Sequence, residues 1–107
     1  MQRLLFLCSK NKLRSPTAEE LFCELPGVEV DSAGVSRGAE VFLSQDQVEW
    51  ADLIFVMEKV HRQKLNQRFQ HVLAGKRIVV LGIPDNYDYM DPELIDLLKR
   101  KCAPYLP

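Results

Sequence analysis

Near the N-terminus, the stretch Cys8-Ser9-Lys10-Asn11-Lys12-Leu13-Arg14-Ser15-Pro16 has the residue types and spacing from which chemistry can be built. A thiolate is a strong nucleophile, and a nearby cation or helix N-terminus favours it over the thiol. A guanidinium six positions on can return over the intervening loop and grip two oxygens of a tetrahedral anion with its planar fork. The hydroxyl of Ser15 can donate to the sulfur when it must leave again. Together these groups suit the transfer of a dianionic phosphoryl group to sulfur. Cys-x5-Arg alone arises easily by chance, so the elements on either side decide its weight.

Those elements are legible. The apolar run Arg3–Leu7 predicts a buried strand. Ser15 reads as an N-cap with Pro16 at the first helical position. Ala18, Leu21, Phe22 and Leu25 then give one apolar helix face, which Pro26-Gly27 stops. The loop therefore joins a strand end to a helix N-terminus, where converging backbone N–H groups and the helix dipole make an anion cradle. Val28–Ala33 predicts a second strand closed by Gly34. Ser44-Gln45-Asp46-Gln47 has the form of a capping box and opens a helix through Trp50. Leu53–Met57 predicts a third strand. A helix follows with His61, Leu65, Phe69, Val72 and Leu73 on one face and ends at Gly75. Arg77–Ile83 predicts a fourth strand. Asp91-Pro92 opens a last helix, with Leu94, Leu97, Leu98 and Cys102 along one side. Strands separated by helices imply an α/β fold, a parallel sheet covered on both faces in three αβα layers. Sites in such sheets form beyond the carboxyl ends of the strands, where Cys8 stands.

The bulk numbers narrow the class. The 107 residues fit a single domain, 1–107, and 47% are hydrophobic, enough for a small core. Fourteen Lys and Arg against fifteen Asp and Glu leave a net charge of −1, which gives no support for nucleic-acid or membrane binding. Leu4–Leu7 is too short for a signal-peptide core, and no apolar run reaches the length of a membrane span, so a cytoplasmic protein is expected. Three cysteines without Cys-x-x-Cys spacing argue against a disulfide framework and a zinc site. No metal or other cofactor is expected, because loop amides and Arg14 can do what magnesium does elsewhere.

The loop resembles the phosphate-binding loop of the low-molecular-weight protein tyrosine phosphatases, which carry Cys-x5-Arg-Ser near the N-terminus. Asn11 falls at that family's Asn, and Pro16 follows Ser15 as it does there. Further along, Asp31-Ser32-Ala33-Gly34 resembles the Ser-Ala-Gly after the second strand. Ala51–Glu58, followed by His61-Arg62, resembles the third strand and its loop. The resemblance implies a four-stranded parallel sheet in the order 2-1-3-4, with the phosphate-binding loop after strand 1. It implies Cys8 as nucleophile, with Ser9, Lys10, Asn11, Lys12, Leu13, Arg14 and Ser15 around the phosphate. It further implies a hydrogen-bond network of Asn11, Ser32 and His61 supporting the loop. The position of His61 on an apolar helix face independently turns it inward, as structural support. The family's general acid lies in Asp-Pro-aromatic after the fourth strand. Asp85 in Ile83-Pro84-Asp85-Asn86-Tyr87 takes that place, with Asn86 for the Pro. Asp91 and Asp88 are rivals, and an N-cap role accounts for Asp91 in full.

The activity implied is a cysteine-dependent phosphomonoester hydrolase of the protein tyrosine phosphatase type. Its substrate would be a phosphorylated protein or a small phosphate ester, and it would act as a monomer or weak dimer. Besides Asn86, the chain departs from the pattern in three ways. The segment between Gly34 and Trp50 is compressed and lacks the aromatic loop that walls the pocket, leaving Tyr87, Tyr89 and Phe42 as possible replacements. Lys10 and Lys12 stand where small or apolar residues are common. Leu13 stands where many members carry a second cysteine. Two other readings of the scaffold are an arsenate reductase, which needs Cys23 and Cys102 in a relay to Cys8, and a phospho-ligand binding module without turnover.

Overall fold

Parity along the first strand sets the arrangement. In the computed structural model, which describes residues 1–107, β1 (Gln2–Cys8) has Leu4, Phe6 and Cys8 on one face and Leu5 and Leu7 on the other. All five are buried, which requires cover on both sides. The cover is two layers of helices. Helices α1 (Arg14–Phe22) and α4 (Pro92–Cys102) pack on the face that carries Cys8. Helices α2 (Gln45–Trp50) and α3 (Lys59–Phe69) pack on the opposite face. Between them, β1 pairs in parallel with β2 (Val28–Gly34) and β3 (Leu53–Val56), and β3 with β4 (Arg77–Val80), giving the order β2-β1-β3-β4. The α/β class, the three layers and the strand order are those expected from the sequence.

Phe6 anchors the first core, stacked between Phe55 at 4.8 Å and Phe22 at 5.7 Å between ring centroids. Ser44 accepts from the Gln47 amide, and the Gln47 side chain answers the Ser44 amide, so the capping box forms as read. Asp91 caps α4 by accepting from the Glu93 N–H, with Pro92 at the first helical position.

Two expectations are corrected. β4 ends at Val80 rather than Ile83, because Gly82 takes a left-handed φ of +68° and breaks the pleat. Leu81 and Ile83 still donate to the carbonyls of Val56 and Met57, so the segment continues beside β3. Ser15 is not the N-cap of α1. The helix begins at Arg14, and the Ser15 hydroxyl is engaged inside the loop instead.

Candidate active site

The loop from Ser9 to Leu13 leaves the carboxyl end of β1 and enters α1. The N–H groups of these five residues donate to no protein acceptor. Asn11 lies in the left-handed region at φ 56°, a conformation that asparagine tolerates and that folds successive amides toward a common point. The loop carbonyls, by contrast, are tied down. Cys8, Ser9 and Lys10 accept from the amides of Val35, Ser36 and Glu40, so the segment after β2 clamps the loop from outside. That clamp needs Gly34, where a Cβ would stand 2.6 Å from the Ser9 carbonyl oxygen and 2.5 Å from the Cβ of Ala39.

Two polar clusters fix the loop from within. In the first, the Asn11 amide donates to Ser15 Oγ at 2.9 Å and to Ser32 Oγ at 3.0 Å. The Ser32 hydroxyl in turn donates to Glu19 Oε1. Ser15 Oγ accepts from Asn11, and its own proton has Cys8 Sγ at 2.9 Å and the Ala33 carbonyl at 3.5 Å within reach. In the second cluster, His61 Nε2 lies 2.9 Å from Ser9 Oγ, and Nδ1 accepts from the Glu58 amide at 3.0 Å. The amide fixes the tautomer: Nδ1 is bare and Nε2–H donates to Ser9. The sequence led to one network of Asn11, Ser32 and His61; instead His61 bonds Ser9 and Glu58, apart from the other two. It supports the same loop from the β3 side, because its ring is oriented by Glu58, three residues earlier.

The ring is neutral in the fold. Burial, reinforced by Arg14 and Lys64 and opposed by Glu58 and Asp85, lowers its pKa from 6.5 to about 4. Between those values the unfolded chain binds more protons than the native one. The stability this site contributes is therefore complete above pH 6.5 and is withdrawn as pH falls toward about 4. The expected loss reaches roughly 3 kcal/mol. Urea midpoints measured across this window should fall in the wild type and fall less in His61→Gln. Equal slopes in the two proteins would remove His61 as the cause.

Arg14 is almost wholly buried, 3% exposed at the side chain. Its Nη1 donates to Glu58 Oε2 at 2.6 Å and to the Ile83 carbonyl at 2.8 Å. Nε and Nη2 donate to no protein acceptor, which leaves one edge of the fork for an anion; Asp85 Oδ1 lies 3.8 Å from Nε. Glu58 was not singled out from the sequence. Its only local signal is a carboxylate at the end of a buried strand, beside the start of a helix.

Cys8, Ser9, Lys10, Lys12, Leu13, Arg14 and Asp85 line one hollow of about 120 Å³. Asp85 thus comes together with Cys8 and Arg14. Asp91 is spent on its cap, and Asp88 lies outside the hollow. No aromatic side chain lines the hollow. Tyr87 packs on the α1/α4 core, Tyr89 borders a neighbouring hollow beyond Lys12, and the Phe42 ring lies against Arg68. Cys23 is exposed, while Cys102 is buried and its thiol is pushed up to about 12 by burial. A relay that needs Cys102 as thiolate has little to draw on. No group of three or more His, Cys, Asp or Glu is arranged to hold a metal ion, and no helix is long and apolar enough to cross a membrane.

No family model matches the chain. A protein-arginine-phosphatase of Geobacillus stearothermophilus is 32% identical, with the match spanning 63% of this chain and 62% of the relative. The solved structure of YwlE arginine phosphatase from G. stearothermophilus superposes with a TM-score of 0.75 at 26% identity, covering 97% of this chain and 92% of that one. Tyrosine phosphatase Wzb from Escherichia coli K30, solved with phosphate, gives 0.77 at 21% identity, over 97% and 95%. The low-molecular-weight protein tyrosine phosphatase of Streptococcus pyogenes gives 0.80 at 18% identity, over 98% and 91%.

Proposed function

We propose that this chain is a cysteine-dependent phosphomonoester hydrolase of the low-molecular-weight protein tyrosine phosphatase type, working through a cysteinyl-phosphate intermediate. The observation that carries the reading is the single small hollow in which Cys8, Arg14 and Asp85 meet over five unpaired loop amides. In the first step Cys8 Sγ attacks phosphorus, an S–P bond forms and the P–O bond to the leaving group breaks. Asp85 gives that oxygen its proton. In the second step water attacks phosphorus from the vacated side, Asp85 takes a proton from it, and the S–P bond breaks. The Ser15 hydroxyl, 2.9 Å from the sulfur, donates to the thiolate as it leaves. Loop amides and the free edge of Arg14 hold the equatorial oxygens throughout, where charge is greatest in the transition state. Glu58 and the Ile83 carbonyl position the guanidinium for this task.

The substrate is a phosphorylated protein or a small phosphate ester. The names of its relatives offer phosphotyrosine and phosphoarginine as protein substrates. Lys10 and Lys12 at the hollow oppose a cationic leaving group, which favours an ester over a phosphoguanidinium. With no aromatic wall, the hollow holds the phosphoryl group and little of what carries it.

The test is hydrolysis of para-nitrophenyl phosphate with a chelator present, then of matched phosphotyrosine and phosphoarginine peptides. Asp85→Asn should lower kcat by about 10²–10⁴-fold. Near-wild-type turnover in Asp85→Asn would move the proton transfer elsewhere. A wild-type protein that binds phosphate yet turns nothing over would leave a binding module.

A further inference from the structure

Immediately beside the hollow, the chain after β2 builds a second feature that the proposed chemistry does not use. A groove of about 420 Å³ is lined by Val35, Ser36, Arg37, Phe42, Lys64, Gln67 and Arg68. Its ionisable residues, Arg37, Lys64 and Arg68, are all cations, and none of them is in an ion pair. In a chain of net charge −1 such a cluster is local, and like charges gathered without counter-ions cost stability. The groove is also ordered. Arg68 lies over the rings of Phe42 and Phe69 at 4.3 and 4.5 Å from their centroids. That contact holds Phe42, which is 42% exposed, as an apolar wall. Lys64 donates to Ser36 Oγ at 3.2 Å. Lys10 donates to the Arg37 carbonyl at 3.1 Å, and the Ser36 amide donates to the Ser9 carbonyl. The groove therefore begins one hydrogen bond from the loop around Cys8.

A second hollow that also touches Lys12 has the opposite sign. It measures about 630 Å³ and is lined by Glu19, Asp31 and Glu40, with Lys12 and Tyr89.

We propose that the Arg37–Lys64–Arg68 groove is a substrate-docking site for acidic side chains that flank the phosphorylated residue of a protein substrate. This rests on the hydrolase reading and extends it. Carboxylates on the substrate would meet Arg37 and Lys64, and an aliphatic stem would lie along Phe42. The small hollow holds little beyond the phosphoryl group, so selectivity among phosphoproteins falls to surfaces of this kind.

The experiment compares wild type with Arg37→Gln/Lys64→Gln; Arg68 stays, because it packs on two rings. Two phosphopeptides differ only in carrying Glu and Asp, or Gln and Asn, around the phosphoresidue, with para-nitrophenyl phosphate as the control. The wild type should favour the acidic peptide roughly tenfold in kcat/KM at low salt, and the preference should fade with added salt. The double variant should lose the preference and keep its rate on the small ester. No preference in wild type, or a preference that survives in the variant, overturns the proposal. Inhibition by a single-stranded polynucleotide that the variant relieves, without any peptide preference, would overturn it in favour of nucleic acid. If the wild type does not hydrolyse the small ester, the hydrolase reading fails separately. Titration with the matching non-hydrolysable phosphonate peptides then reads the same charge preference as a ratio of Kd values.

Discussion

Cys8→Ser lowers turnover of para-nitrophenyl phosphate by roughly 10⁴-fold or more, because a serine hydroxyl at neutral pH is a far weaker nucleophile than a thiolate. Phosphate binding should survive. The groups assigned to the anion are the amides of Ser9–Leu13 and the free edge of Arg14, and none of them depends on sulfur. The substitution replaces one buried atom by a slightly smaller one that can still face Ser15 Oγ, so the fold should be kept. The measurement pairs steady-state kinetics with isothermal titration of inorganic phosphate. Lost turnover with retained binding separates a chemical defect from a structural one. Substantial turnover in the serine variant would show that another group attacks phosphorus.

Arg14→Lys is the second large effect, and it differs in kind. Arg14 works in two directions: Nη1 holds Glu58 and the Ile83 carbonyl, while the opposite edge is free for phosphoryl oxygens. A lysine ammonium is a point charge and cannot span both. If it stays with Glu58, the transition state loses its paired donors. If it turns to the phosphate, the buried Ile83 carbonyl loses its donor. The expected fall in kcat/KM is about 10²–10³-fold, the scale for removing a preorganised oxyanion donor. The stability cost is about 1–3 kcal/mol where the carbonyl is left unsatisfied. Kinetics and thermal denaturation on the same preparation read both. A kcat/KM within a few-fold of wild type would sink the role given to Arg14.

What could be read from the chain in advance divides by distance. Signals that act within four or five residues came through: the Ser44 capping box, the Asp91-Pro92 helix start, and the inward face of His61, Leu65 and Phe69. The meeting of Cys8 and Arg14 was legible in their six-residue spacing, whereas the strand order and the place of Asp85 followed from resemblance along the chain. The misses share one cause. Ser15 has the sequence of a cap, yet its hydroxyl has better partners in Cys8 and Asn11 once the loop closes. Glu58 meets Arg14 across 44 positions, and no local pattern encodes that contact. Which loop residue His61 supports depends on a ring orientation set by the Glu58 amide, a three-residue device hidden until the backbone is in place. The end of β4 turned on the left-handed Gly82, a conformation that glycine permits without requiring it.

The clamp on the loop has a consequence for how the molecule opens. Three loop-side carbonyls are held by amides that follow β2, His61 reaches Ser9 from the segment after β3, and Arg14 is fastened to the Ile83 carbonyl beyond β4. Every strand of the sheet thus holds the loop, β1 by covalent continuity and the others by hydrogen bonds. Hydrogen exchange measures the free energy of the smallest opening that exposes a given amide. For the amides of Val35, Ser36 and Glu40, that opening must also part the loop from its supports. Their exchange belongs with that of the central strands, so the loop has no melting transition of its own and its geometry lasts as long as the sheet does.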